Sequence, residues 1–129
     1  MEKYVTVTGF KNYYGKRPFA VGNVLRCEKC PDNEYDTEAI RCALPVVGTV
    51  GYIANSPATV AGGTMSAGRI YDKVSSVFYI RVMFVTCTKI ICAVFDDPAE
   101  AEEIIKKQEK LIYADVDDAS EAENYEIPF

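Results

Sequence analysis

The 129-residue chain contains no histidine. That removes the side chain most often used as a general base near neutral pH, and the commonest transition-metal ligand. No apolar run reaches the length a membrane span needs. The stretch Met1 to Gly9 alternates polar and apolar residues as a strand does, unlike a signal peptide, so a cytoplasmic location is expected. Cysteines stand at 27, 30, 42, 87 and 92, an odd count, and no second CxxC accompanies Cys27 and Cys30. A disulfide framework is therefore not expected, and a structural zinc site lacks half its ligands. All five thiols read instead as small buried hydrophobes. No internal repeat is visible, and no metal or cofactor is expected.

What is present is an ordinary globular composition, 49% hydrophobic and 26% charged, with a net charge of −5 that hides an asymmetry. Residues 1–95 carry 11 Lys/Arg against 7 Asp/Glu, a net of +4, whereas residues 96–129 carry 3 Lys against 12 Asp/Glu, a net of −9. A mildly basic body thus bears an acidic extension. Such a body suits an anionic partner, which the extension repels or mimics by folding over the basic face; the plainer role for the extension is solubility.

Strands are read from period-two alternation and β-branched or aromatic enrichment at Tyr4–Thr8, Val21–Lys29, Ala39–Leu44, Val46–Ala54, Ser76–Val85 and Thr88–Phe95. Asn55-Ser56-Pro57 signals a helix start, and Gly62-Gly63 keeps that helix short. After Asp96-Asp97-Pro98, apolar residues from Ala101 to Ile112 recur at helical spacing. Glu100, Glu102 and Glu103 lie early in that stretch and Lys106, Lys107 and Lys110 late, as the helix dipole favours. The predicted fold is β-dominated α+β: a small OB-like β-barrel of about six strands with one short helix, plus a C-terminal amphipathic helix. Residues 1–95 form the barrel, 96–113 a helix packed on it or on a second copy, and 114–129 an acidic tail ending in the more apolar Tyr125 to Phe129.

Two constellations carry candidate chemistry. Loop 10–19 interleaves Phe10, Lys11, Tyr13, Tyr14, Lys16 and Arg17, rings to stack bases and cations to meet phosphates; alternatively its aromatics cover a barrel end. Asp32, Glu34, Asp36 and Glu38 sit around Asn33 and Tyr35. They lack the ligand alternation of a calcium loop, and they read as a turn in which Asn33 and Asp36 bond backbone groups. A small hydrolase using these carboxylates is a weaker reading, given the absent histidine. Ser66-Ala67-Gly68-Arg69 offers backbone N–H groups and an Arg to a phosphate, or serves as a plain connection.

The order of these features resembles the HIRAN domain family, in the form of its stand-alone bacterial members. The resemblance rests on Pro31-Asp32-Asn33-Glu34-Tyr35-Asp36-Thr37-Glu38-Ala39-Ile40, then Val50-Gly51-Tyr52-Ile53, and on Gly63 to Asp72, within residues 4–94. It implies a modified OB-like barrel that binds single-stranded DNA and captures its 3′ end, without catalysis, in DNA repair or processing. On this resemblance the binding residues are Lys11, Tyr13, Tyr14, Asn33, Tyr35, Asp36, Tyr52 and Arg69. The chain departs from the family pattern by inserting Asn12, and by carrying Tyr52 and Asn55 where cations are found. The partner this implies is single-stranded DNA or DNA ends. The rival reading is a protein-interaction or regulatory module, acting on a protein partner or a second copy through residues 98–112 and the acidic tail.

Overall fold

The computed structural model describes the backbone of residues 2–121 and the side chains of residues 2–110. Six strands are present: β1 (Tyr4–Thr8), β2 (Val24–Lys29), β3 (Ile40–Leu44), β4 (Gly48–Ile53), β5 (Val77–Val85) and β6 (Ile90–Phe95). They close into an antiparallel barrel in the order β1-β4-β3-β2-β5-β6. This is the expected small OB-like barrel. Its strands follow the alternation in the sequence: Val5 and Val7, Leu25 and Cys27, Ile80 and Val82, and Ile90 and Cys92 are all buried in one core. Each such aliphatic side chain contributes about 1.5–3 kcal/mol on leaving water.

Two 3-10 turns, Phe10–Asn12 and Arg17–Phe19, carry the chain from β1 to β2. Phe10 and Phe19 meet edge to face at 6.2 Å and are buried. Phe19 lies against Gly51, where an added Cβ would fall 2.9 Å from Val7 Cγ1 and 3.1 Å from the Thr8 carbonyl oxygen. Glycine at 51 therefore lets β1 and β4 approach closely.

The short helix is not where Asn55-Ser56-Pro57 predicts it. Residues 56–60 make a single turn, with the Val60 N–H donating to the Ser56 carbonyl at 3.0 Å, and the winding stops at Ala61. Gly63, at φ +86°, turns the chain away. The helix forms later as α1 (Ala67–Ile70), capped by Ser66, whose hydroxyl accepts from the Arg69 N–H at 3.2 Å. The thiols also divide differently from expectation. Cys27, Cys42 and Cys92 are buried, Cys30 is half-buried, and Cys87 is exposed because the β5–β6 connection puts it outside either strand.

The C-terminal helix, α2 (Pro98–Glu121), runs on past the end near residue 113 that its sequence suggested. It packs on β2 and β5, burying Ala101, Ile105 and Gln108. Continuing the Arg26↔Ala43 register would set Val24 opposite Pro45, which has no N–H to give. Gln108 fills that place: its Oε1 accepts from the Val24 N–H at 2.9 Å and its Nε2 donates to the Val24 carbonyl at 2.5 Å. The apolar stripe over 101–108 is thus spent on the barrel of its own chain. The side chains of Leu111 and Ile112, and the end of the acidic tail from residue 122 to Phe129, lie outside the described residues. Among the described residues no helix is long and apolar enough to cross a membrane.

Candidate functional site

The turn before β3 is built by local side-chain bonds. Asn33 Oδ1 accepts from the Tyr35 and Asp36 N–H groups at 2.9 and 3.1 Å, and Asp36 Oδ1 accepts from the Glu38 N–H at 2.8 Å. These are the self-bonded turns that Asn and Asp favour. They leave the Tyr35 ring 94% exposed, with no neighbour to cover it.

A second set of bonds ties this turn to the far side of a groove. Asn55 Nδ2 donates to Asp36 Oδ2 at 2.9 Å, and Asn55 Oδ1 accepts from the Gly68 N–H at 2.8 Å. Asn55 thus joins the turn, the chain leaving β4, and the start of α1. The loop beyond Asn55 is pinned from below by the buried Thr6, whose hydroxyl accepts from the Ala61 N–H at 3.1 Å and meets the Thr64 hydroxyl at 2.8 Å.

Between these walls lies a groove of about 700 Å³. Thr8, Tyr52 and Ile53 form its floor, Asn33, Tyr35 and Asp36 one wall, and Asn55, Ser56 and Thr59 the other. Asp36 is the one charged residue among those described as lining it. The groove presents hydroxyls, amides, two aromatic rings and a carboxylate held by two donors. That set suits a ligand with hydroxyl or N–H donors and flat faces, such as a nucleoside.

The structure brings four of the expected residues, Asn33, Tyr35, Asp36 and Tyr52, into this groove. Tyr13 reaches it through Tyr52: the rings are 6.3 Å apart and tilted by 43°. Burial, and next the hydrogen bond with Tyr13, push the Tyr52 phenol up, while the nearby Arg41 opposes the shift. Lys11, Tyr14 and Arg69 do not line the groove. Lys11 is exposed on the first 3-10 turn, Arg69 is exposed on α1, and Tyr14 turns toward the Val47 carbonyl, 3.5 Å from its hydroxyl. Lys16, from the same loop, is committed to the Thr86 and Cys87 carbonyls at 2.8 and 2.6 Å.

Sequence reading missed Thr8, Ser56 and Thr59, and it noted Asn55 only as standing where a cation is expected. Asn55 and Ser56 do carry a signal, but it is a helix-cap signal, and it gives no hint of a bond to Asp36. Among the described residues no group of three or more His, Cys, Asp or Glu is placed to hold a metal.

No protein-family model, curated protein or solved structure matches the chain.

Proposed function

We propose that this groove binds single-stranded nucleic acid, seating a strand end between Tyr35 and Asp36, and that the protein performs no chemistry on it. The observation that carries the reading is the uncovered Tyr35 ring standing beside a carboxylate that Asn55 and the Glu38 N–H hold in place. A ring without neighbours offers a face to a base, and stacking of this kind is worth about 1–3 kcal/mol. Asp36 has lone pairs to spare for a terminal hydroxyl beyond the two donors it already meets. The HIRAN resemblance of residues 31–40 and 50–53 supports the same ligand and its 3′ end. A cytoplasmic role in DNA repair or end processing belongs to this proposal and rests on that resemblance alone. The rival, partner capture by the C-terminal helix, loses support over residues 101–108, whose buried side chains already cover β2 and β5.

Fluorescence anisotropy with short labelled strands at low salt tests the reading, using free and blocked 3′ ends. The expected result is binding that favours the free 3′ end and weakens by about tenfold or more in Tyr35→Ala, from the stacking energy above. Asp36→Asn should erase the preference for the free end. Flat titrations with both ends overturn the proposal.

A further inference from the structure

The groove lining holds no Lys or Arg, yet the barrel's register sets a cation on each side of its floor. Thr8 pairs with Tyr52, and Tyr52 pairs with Arg41. On the other edge Val7 pairs with Ile90, so the next step of that ladder places Lys89 opposite Thr8. Residues directly opposite in antiparallel strands share a face. Lys89, just before β6, therefore forms one row with Thr8 of β1, Tyr52 of β4 and Arg41 of β3, with the groove floor in its middle. Three strand spacings of about 4.8 Å separate the outer two, or about 14 Å, a span for a short run of backbone rather than one phosphate.

Both cations are anchored. Arg41 Nε donates to Glu28 Oε1 at 2.7 Å and Nη1 to Thr49 Oγ1 at 2.8 Å. Its Nη2 has no hydrogen-bond partner among the described residues. Lys89 Nζ donates to the Thr59 carbonyl, in the groove wall, at 3.0 Å, which leaves two of its three donors for other acceptors. Three other cations of the body are committed elsewhere: Lys16 to carbonyls across the β5–β6 connection, Lys29 to the Val74 carbonyl and the Tyr71 ring, and Arg26 to Glu28 and Glu102. A fixed guanidinium loses less freedom on meeting a phosphate than a free side chain does.

We propose that Arg41 and Lys89 are the phosphate-contacting residues of the groove, holding a single strand that crosses β3, β4, β1 and β6 along this row. The inference rests on the nucleic-acid reading above and adds the path and its two contacts.

The experiment is the salt dependence of binding of a labelled oligothymidylate to the full chain and to Arg41→Gln, Lys89→Gln, Lys89→Arg and Tyr35→Ala. Each Gln variant should weaken binding and lower the slope of log K against log salt by about 0.7, one phosphate contact on a single strand. Lys89→Arg should keep the slope. Glu28→Gln, which keeps an acceptor for Arg41 Nε but removes the negative charge beside it, should tighten binding, and thermal unfolding by circular dichroism confirms that each variant is folded. Wild-type slopes in both folded Gln variants, with binding still weakened in Tyr35→Ala, overturn this inference and leave the groove reading standing. No binding by the unmodified chain overturns both.

Discussion

Two opposite walls of the barrel meet their surroundings in contrasting ways. On the β2–β5 wall, Val24 and Tyr79 are buried beneath Ala101 and Ile105 of α2, and a glutamine amide completes the backbone bonding of Val24. On the β1–β4 wall, Thr8 and Tyr52 face outward into a groove whose sides are tied together by the Asp36–Asn55–Gly68 chain of bonds. On the first wall α2 covers the apolar residues beneath it, and Gln108 pairs the backbone groups that Val24 would otherwise leave open. The second has a rigid frame but leaves donors, acceptors and ring faces open. A surface built of bonded yet uncovered groups is one prepared for a ligand, and this is why the groove, and not the helix, is taken as the site.

The comparison breaks most visibly at α2. Ile105→Ala should cost about 2–5 kcal/mol in urea unfolding, through lost burial and the cavity left behind. Gln108→Leu should cost about 2 kcal/mol or more, because it strands the Val24 N–H and carbonyl in a buried place. Neither should change groove affinity in the folded protein. If Gln108→Leu is neutral, the amide is not completing the ladder.

Next in size is an alkaline effect that belongs to the core between the walls. Burial holds the Cys27 and Cys92 thiols above their ordinary value of 9.0. With the folded pKa raised, this stability is fully present below pH 9 and is lost as pH rises above it, since only the unfolded thiols ionise there. Each thiol should take away about 1.4 kcal/mol per pH unit above that value. Denaturant unfolding between pH 8 and 10.5 checks this, and Cys92→Ala should make the decline shallower. The same burial predicts that Cys87 is the first thiol modified by a bulky reagent in the native protein.

The smallest expected effect on stability lies at the groove. Asn55→Ala should cost only about 1 kcal/mol, since it removes neutral and charge-assisted bonds at a partly exposed site. It should nonetheless weaken groove binding, by releasing Asp36 from the opposite wall. Stability and binding measured on this one variant sharpen the contrast: the α2 wall should respond in stability alone, the groove wall chiefly in binding.

What was legible in the sequence follows from how local each determinant is. The strands could be read because alternation such as Tyr4-Val5-Thr6-Val7-Thr8 is a property of neighbours. The turn at Asn33 to Asp36 could be read because its bonds close within a few residues. The short helix was misplaced because Ser56 and Ser66 carry similar cap signals. The Ala67 N–H bond to the Ala54 carbonyl and the Gly68 N–H bond to Asn55 Oδ1 fix the start of α1, and both cross the fold. Cys87 falls between two strands in the sequence, as it does in the structure, but it reads as a small buried hydrophobe, whereas the β5–β6 connection leaves it exposed. The row Lys89–Thr8–Tyr52–Arg41 draws on four strands far apart in the chain, and only barrel closure aligns them. The cations that stood out in the sequence, Lys11 and Arg69, were conspicuous for their neighbours in the chain. The pair flanking the groove is set by register.

The most direct test of the groove as the binding wall is a two-dimensional amide NMR titration of the labelled protein with a short single-stranded oligonucleotide at low salt. Shifts concentrated at Thr8, Asn33 to Asp36, Tyr52, Asn55 and Thr59, with residues 101–110 unmoved, are the predicted result. Shifts confined to α2, or none anywhere, would contradict it.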